Sequence, residues 1–183
     1  MTEIINAQDR QGAGPVVGEL DSLVIQGYYT VQFHDADGNL VWQDTIKNLV
    51  PTAGKNFILD TVYAGSAYTA AIFMGLVDGG SAPSYAAGDT MASHAGWTEN
   101  VSYSNATRPA PAFSSASGGA KATSSAVVFN TNATGTVAGC FIATNSTKSG
   151  TTGTLISEGN FSGGNQAISS GGTLSVTHTM TLT

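Results

Sequence analysis

The segment TLSVTHTMTL, residues 173–182, constrains the fold more than any other part of the chain, because two kinds of side chain alternate along it. A period of two is typical of an extended strand, whose successive side chains point to opposite faces. The apolar face carries Leu174, Val176, His178, Met180 and Leu182. The segment therefore predicts a β-strand with one buried face, on which His178 is a hydrogen-bonded or interface histidine rather than a metal ligand.

Other segments repeat this β character, since they are short, rich in β-branched and aromatic residues, and bounded by turn-forming loops. They cover residues 23–33, 40–46, 71–77, 97–103, 124–130, 136–144 and 154–161. The first two are joined by DADGN, in which Asp37-Gly38 supplies the positive-φ position that a hairpin turn needs. DADGN also resembles the start of a calcium loop, but Ile46 stands where such a loop requires glutamate.

One segment has a helical pattern, PTAGKNFILDTVYAG. Phe57, Ile58, Thr61 and Val62 fall on one face of the expected helix, and Gly65 is its expected stop. Eight strands and one short helix predict an all-β fold, namely a β-sandwich and most simply a jelly roll.

The length of 183 residues fits one domain with an arm. Residues 1–22 are polar and contain two small apolar pairs, Ile4-Ile5 and Val16-Val17. This pattern predicts an extended N-terminal arm that lies on another surface, followed by a β-sandwich domain over residues 23–183.

Composition argues against several classes of function. Six basic residues against twelve acidic ones give a net charge of -6, and the basic residues are scattered, so we expect no direct nucleic-acid partner. Cys140 is the only cysteine, so it predicts a small buried residue rather than part of a disulfide framework. MTEIINAQDR lacks the features of a secretory signal, and no apolar run approaches the roughly 20 residues of a membrane span. We therefore expect folding in a cytoplasm and no membrane partner.

The stretch GDTMASHAGWTENVSYSNATRP, residues 88–109, gathers polar side chains in a chain that is otherwise poor in charge. A hydrolase built on Ser93, His94 and Glu99 would need a hydrogen-bonded relay, but neighbouring strand residues point to opposite faces. The stretch also lacks a G-x-S-x-G elbow, and the chain has no Gly-rich phosphate loop. The three histidines, His34, His94 and His178, lie far apart in sequence. We therefore expect no catalytic residues, no cofactor and no metal.

The same stretch has a structural interpretation. Gly88, Asp89 and Thr90 form a turn, Gly96 permits a bend, and a strand begins at Trp97 and ends before Arg108-Pro109. Arg108 is expected to pair with Glu99 or Asp89, either within the chain or across a subunit boundary.

Three segments resemble small proteins encoded in tailed bacteriophages and prophages, usually among virion structural genes. These segments are FMGLVDG, AAGDTMASHAGWTENVSYSNATRPA and ATGTVAGCFIATNSTKSGTTGTLISEGNFSGG. The resemblance covers about residues 45–183 and is most specific in GDTMASHAGWTE and GTLISEGNFSGG. It implies a structural gene product rather than a virion enzyme. Capsid-decorating cement proteins of short-tailed phages are similar in kind, because they are small, oligomeric β-sandwich or jelly-roll proteins that often carry an N-terminal arm.

The resemblance favours a non-enzymatic decoration protein that is assembled in the bacterial cytoplasm and stabilises the outer capsid shell of the virion. Its expected partners are the major capsid protein and other copies of itself in a homo-oligomer. The candidate interface residues are Ile4, Ile5, Val16, Val17, Trp97 and Arg108. The alternative is a receptor- or glycan-binding module of a tail fibre or spike, in which Trp97, Tyr103 and Tyr85 would stack on sugar rings.

Overall fold

The protein is described from a computed structural model over residues 24–63 and 72–183. The predicted arm with Ile4, Ile5, Val16 and Val17 lies outside these residues, as does Gly65, the expected helix stop. The secondary-structure elements follow in the order β1 (Ile25–His34), β2 (Leu40–Lys47), α1 (Thr52–Tyr63), β3 (Phe73–Asp78), β4 (Glu99–Asn100), β5 (Ala120–Ala122), β6 (Val127–Asn130), β7 (Gly135–Ala143), β8 (Leu155–Asn160), β9 (Gln166–Ile168) and β10 (Thr173–Leu182).

These strands form two antiparallel sheets. In the first sheet the order is β2-β1-β10-β5, and β6 also pairs with β10. In the second sheet the order is β4-β3-β7-β8, and β9 also pairs with β7. Apolar side chains of both sheets meet in one core that includes Tyr29, Val31, Leu76, Ile142 and Val176. The predicted all-β sandwich is confirmed, whereas the jelly roll stays a prediction.

The predicted alternation of β10 is confirmed in its first part, since Leu174, Val176 and His178 are buried, whereas Met180 is partly buried and Leu182 is 44% exposed. The hairpin between β1 and β2 is also confirmed. Gly38 has a φ of 85°, and the Asp35 carboxylate accepts hydrogen bonds from the amides of Asp37 and Asn39 at 3.0 and 2.8 Å. The first acidic residue of DADGN, Asp35, thus stabilises a tight turn.

The helix is confirmed, but its predicted face is partly wrong. Val62 is 69% exposed, whereas Phe57 packs against the main core as predicted. A Cβ at Gly54 would lie 2.4 Å from the carbonyl oxygen of Ile156 in β8. The helix therefore packs partly through Phe57 and partly through a residue that has no side chain, and an apolar periodicity cannot reveal the second contact.

The predicted strand over residues 97–103 is mostly irregular, because only Glu99–Asn100 pairs with β3. The reason is a second apolar cluster, separate from the main core, which joins Val77, Phe141 and Leu155 of the second sheet to Met91 and Trp97. Val77 and Phe141 alternate along their strands with core residues, so they lie on the outer face of the sheet. The segment 79–98 covers this face, and its course over the sheet positions the candidate site.

Candidate functional site

Trp97 is the central side chain of the segment that covers the second sheet. Its ring is 4% exposed, lies 5.0 Å from the ring of Phe141 and stacks on His94 at 3.9 Å. Its indole N–H donates a hydrogen bond to Oε2 of Glu158 at 2.9 Å. Trp97 therefore combines a large buried apolar surface with one directed polar contact, which is how a buried tryptophan is usually satisfied.

Glu158 is a completely buried carboxyl group in the middle of β8. Burial, followed by the nearby Asp89 carboxyl group, raises the pKa of Glu158 to about 8, against the lowering effect of the Trp97 hydrogen bond. Asp89 is itself buried and accepts a hydrogen bond from the amide of Ala86 at 3.0 Å. Glu158 is thus mainly protonated at neutral pH, and its hydrogen bond from Trp97 connects the segment 79–98 to β8.

Arg108 pairs with Glu99 within the chain, which is one of the two acidic partners that the sequence predicted. Its Nε and Nη2 atoms donate to the two carboxylate oxygens of Glu99 at 2.9 and 2.8 Å. The remaining donors reach the carbonyl oxygens of Asn145 at 2.8 Å and Gly150 at 3.2 Å. The Arg108 and Glu99 side chains are 1% and 4% exposed, so this bidentate pair is a buried structural contact.

The polar residues of the stretch do not form a hydrolytic relay. His94 Nδ1 lies 3.1 Å from the carbonyl oxygen of Trp97, and Glu99 is bound by Arg108. Ser93 is exposed, and its amide bonds to Thr90. Within residues 24–63 and 72–183, no hydrogen bond joins Ser93 to His94 or His94 to Glu99.

A cavity of about 240 Å³ lies beside this cluster, and His94, Trp97, Glu99 and Arg108 contribute to its lining. The two charged groups at its wall neutralise each other. The cavity therefore presents no unpaired charge from this ion pair to a bound molecule.

Three residues with predicted contact roles, Trp97, Arg108 and Tyr103, are buried within the chain. Trp97 and Arg108 make their contacts inside the chain, where they are 4% and 1% exposed, and their predicted place in an interface stays a prediction. Tyr103 is also fully buried, with its ring edge against Phe129, so it offers no face for a sugar. Tyr85 is half-buried and donates its hydroxyl to Asn160 at 2.9 Å.

His178 lies on the core face of β10, opposite Tyr29 of the neighbouring strand β1, and the two rings are 4.6 Å apart. It is 2% exposed, and neither ring nitrogen has a hydrogen-bond partner among the described residues. Of the two predicted roles, the hydrogen bond is therefore not observed among the described residues, and the interface role stays a prediction. Its neighbouring tyrosine hydroxyl bonds to Ser157 instead, which leaves the imidazole without that partner.

A surface patch that the sequence did not predict lies where residue 24 enters the sandwich. Val24 and Leu59 are 40% and 47% exposed, and with Ile25 and Lys55 they line a groove of about 350 Å³. Leu182, which is 44% exposed, stands directly opposite Ile25 in the register of β1 and β10. We call Val24, Ile25, Leu59 and Leu182 the arm-root patch.

No protein-family model, curated protein or solved structure matches the chain. In the part of the chain that the structure describes, no group of three or more histidine, cysteine, aspartate or glutamate residues is arranged to hold a metal ion. No helix within the same residues has the length and apolar character needed to cross a membrane.

Proposed function

We propose that the protein is a non-enzymatic structural component of a phage virion, and specifically a decoration protein that binds the outer capsid surface and stabilises the shell. Its partners would be the major capsid protein and other copies of the chain. The observation that carries this proposal is the arm-root patch, an exposed apolar surface at the point where the N-terminal segment joins the sandwich.

The arm-root patch has the chemistry of a contact surface. Scattered exposed apolar residues are normal on any protein, but a contiguous group marks a site of association. Val24 and Leu59 line one groove although they come from different parts of the chain, and among the described residues of its lining Lys55 alone is charged. Burial of this groove by a neighbour would remove apolar surface from water at little cost in desolvated charge.

The use of the polar residues supports a structural role over an enzymatic one. Glu99 and Arg108 neutralise each other, and Glu158 accepts a hydrogen bond from Trp97. Each of these groups holds one loop or strand against another, and none is left as a free nucleophile with a base beside it. The Trp97–Glu158 hydrogen bond stabilises the surface segment 79–98 on the second sheet, and the Arg108–Glu99 pair is joined to the loop after β7. Such contacts suit a protein that must stay folded on a particle.

Shell stabilisation follows from many weak contacts rather than from one strong one. When several linked sites bind together, each further contact forms at a high effective concentration. An oligomer whose arm-root patches and arms engage adjacent capsid subunits would resist their separation under internal pressure. Loss of the arm or of the arm-root patch should therefore weaken attachment to the capsid more than the contact area of that part alone suggests.

The proposal is tested on particles that lack the protein, prepared from the phage or prophage that encodes the chain. Purified wild type, a variant without residues 1–22, and Leu59→Glu are added, and occupancy is measured after sedimentation. We expect both variants to bind less and to leave the particles less resistant to heat. Val128→Glu is the matched control, because Val128 is 41% exposed but lies on β6, outside the arm-root patch. Full occupancy and heat resistance with both variants would contradict the proposed mechanism.

A further inference from the structure

A second cavity lies between the two sheets and has a volume of about 200 Å³. His178 and Met180 of β10 face Ile142 of β7 and Ile156 of β8 across it, and Ile72 and Phe113 complete its apolar wall. The residues of the arm-root patch do not line this cavity. A role for the cavity is therefore independent of the proposed attachment to a capsid.

Among the described residues of the cavity wall, His178 is the buried polar side chain. Both of its ring nitrogens are buried and have no hydrogen-bond partner among the described residues. Burial lowers the pKa of His178 to about 4, so the ring is neutral at physiological pH. An unpaired buried polar group destabilises a fold, and a ligand that supplied the missing hydrogen bond would remove that penalty.

Water is a poor occupant for such a site. A buried water molecule usually makes about three hydrogen bonds, and apolar cavities that cannot supply them remain dry. Of the described side chains in the wall, His178 and Lys121 are polar, and the ammonium group of Lys121 already donates to the carbonyl oxygen of Ser114 at 3.0 Å. An organic molecule can instead fill the apolar space and offer one polar atom to His178.

The size and charge of the cavity restrict what that molecule can be. Drug-sized ligands occupy cavities of about 300 Å³ or more, whereas an apolar cavity of about 150 Å³ takes up benzene. Ile142, Ile156 and His178 are the buried part of the described wall, and this apolar surface with the neutral imidazole disfavours an ionised group at the His178 end. A hydroxyl group suits the imidazole because it can donate to a bare ring nitrogen or accept from a protonated one.

We propose that this cavity binds a small, uncharged, mainly apolar molecule that carries one hydroxyl group, such as a substituted phenol. The hydroxyl group bonds to His178, and the apolar part packs against Ile142, Ile156 and Met180.

The test is a titration of the full ¹⁵N-labelled chain with 4-methylphenol and, separately, with toluene, which has the same ring without the hydroxyl group. We expect 4-methylphenol to shift the amide signals of Ile142, Ile156 and Met180 and the imidazole signals of His178. It should bind about fivefold more tightly than toluene, which is the usual effect of one net hydrogen bond. In His178→Phe the preference should fall to about one, because the ring is retained and the hydrogen bond is lost.

Met180→Trp provides a second test that does not depend on the folding of the histidine variant. The larger side chain should fill the cavity and abolish binding of both probes, while Val128→Trp on the exposed part of β6 should leave binding unchanged. Three results would each overturn the proposal: no shifts at the cavity residues, equal affinity for the two probes in the wild type, or undiminished binding by Met180→Trp.

Discussion

Replacement of Arg108 by methionine is the most informative perturbation of the fold, because it removes one charge from a buried pair while keeping a side chain of similar length. The substitution deletes two hydrogen bonds to Glu99 and leaves the carbonyl oxygens of Asn145 and Gly150 without these donors. Glu99 would retain the amide of Ser149 at 2.5 Å and the hydroxyl of Tyr103 at 3.4 Å. Its charge would then be buried without a cation.

Breaking such a pair from one side costs about 3–5 kcal/mol, whereas an exposed pair contributes at most about 1 kcal/mol. We therefore expect Arg108→Met to lower the free energy of unfolding by about 4 kcal/mol. For a chain of this length the melting temperature should fall by roughly 10 °C. The measurement is urea-induced unfolding at pH 7, followed by tryptophan fluorescence and by circular dichroism.

Two controls separate the lost charge pair from a general loss of packing. Lys47 is exposed on β2, so Lys47→Met should change the unfolding free energy by less than about 0.5 kcal/mol. In the double variant Glu99→Gln with Arg108→Met, the loss should be smaller than the sum of the two single losses, since no unpaired charge remains. A loss below about 1 kcal/mol for Arg108→Met alone would refute the buried-pair interpretation.

Three further predictions concern buried titratable groups and close packing. Because the pKa of Glu158 is raised to about 8, its favourable contribution to stability is complete below about pH 4.5 and is lost as the pH rises through 8. The free energy of unfolding of the wild type should therefore decline across this range, and that of Glu158→Gln should not. Parallel pH profiles for the two proteins would contradict the prediction. Because the pKa of His178 is lowered to about 4, the neutral ring contributes fully to stability above about pH 6.5, and this contribution is lost as the pH falls through 4. The free energy of unfolding of His178→Phe should therefore depend less on pH in this range. The same pH dependence in both proteins would argue against a buried neutral ring. Gly54→Ala should lower the melting temperature although alanine favours helices, because the added Cβ meets the backbone of Ile156. Gly88→Ala is the control and should be nearly neutral, because its Cβ meets nothing within 4 Å. Equal melting temperatures for the two variants would show that the helix is not held at Gly54.

Strands were predictable where the pattern is local. The alternation of residues 173–182 predicts β10 without knowledge of its neighbours, and Asp37-Gly38 predicts the turn between β1 and β2. The short strands β5 and β9 were not predicted, since three residues are too few for a period of two to emerge. Their pairing depends on β10 and β7, which are distant in sequence.

The site was less predictable than the fold because its contacts join distant residues. The partner of Arg108 could be narrowed to two nearby acidic residues, and Glu99 is the one observed. Glu158 carried one sequence signal, an acidic residue inside an otherwise uncharged strand, but its partner Trp97 is 61 positions away. The arm-root patch had no sequence signal at all, since Val24, Leu59 and Leu182 come together only through the docking of α1 and the pairing of β1 with β10.

The central proposal, attachment to the outer capsid surface, is tested most directly by a cryo-electron microscopy map of the intact virion that carries this protein. We expect density for the β-sandwich at many symmetry-related positions on the outside of the shell, with the arm-root patch facing a capsid subunit or another copy of the chain. Density restricted to the tail, or density in which the arm-root patch faces solvent at every copy, would contradict it.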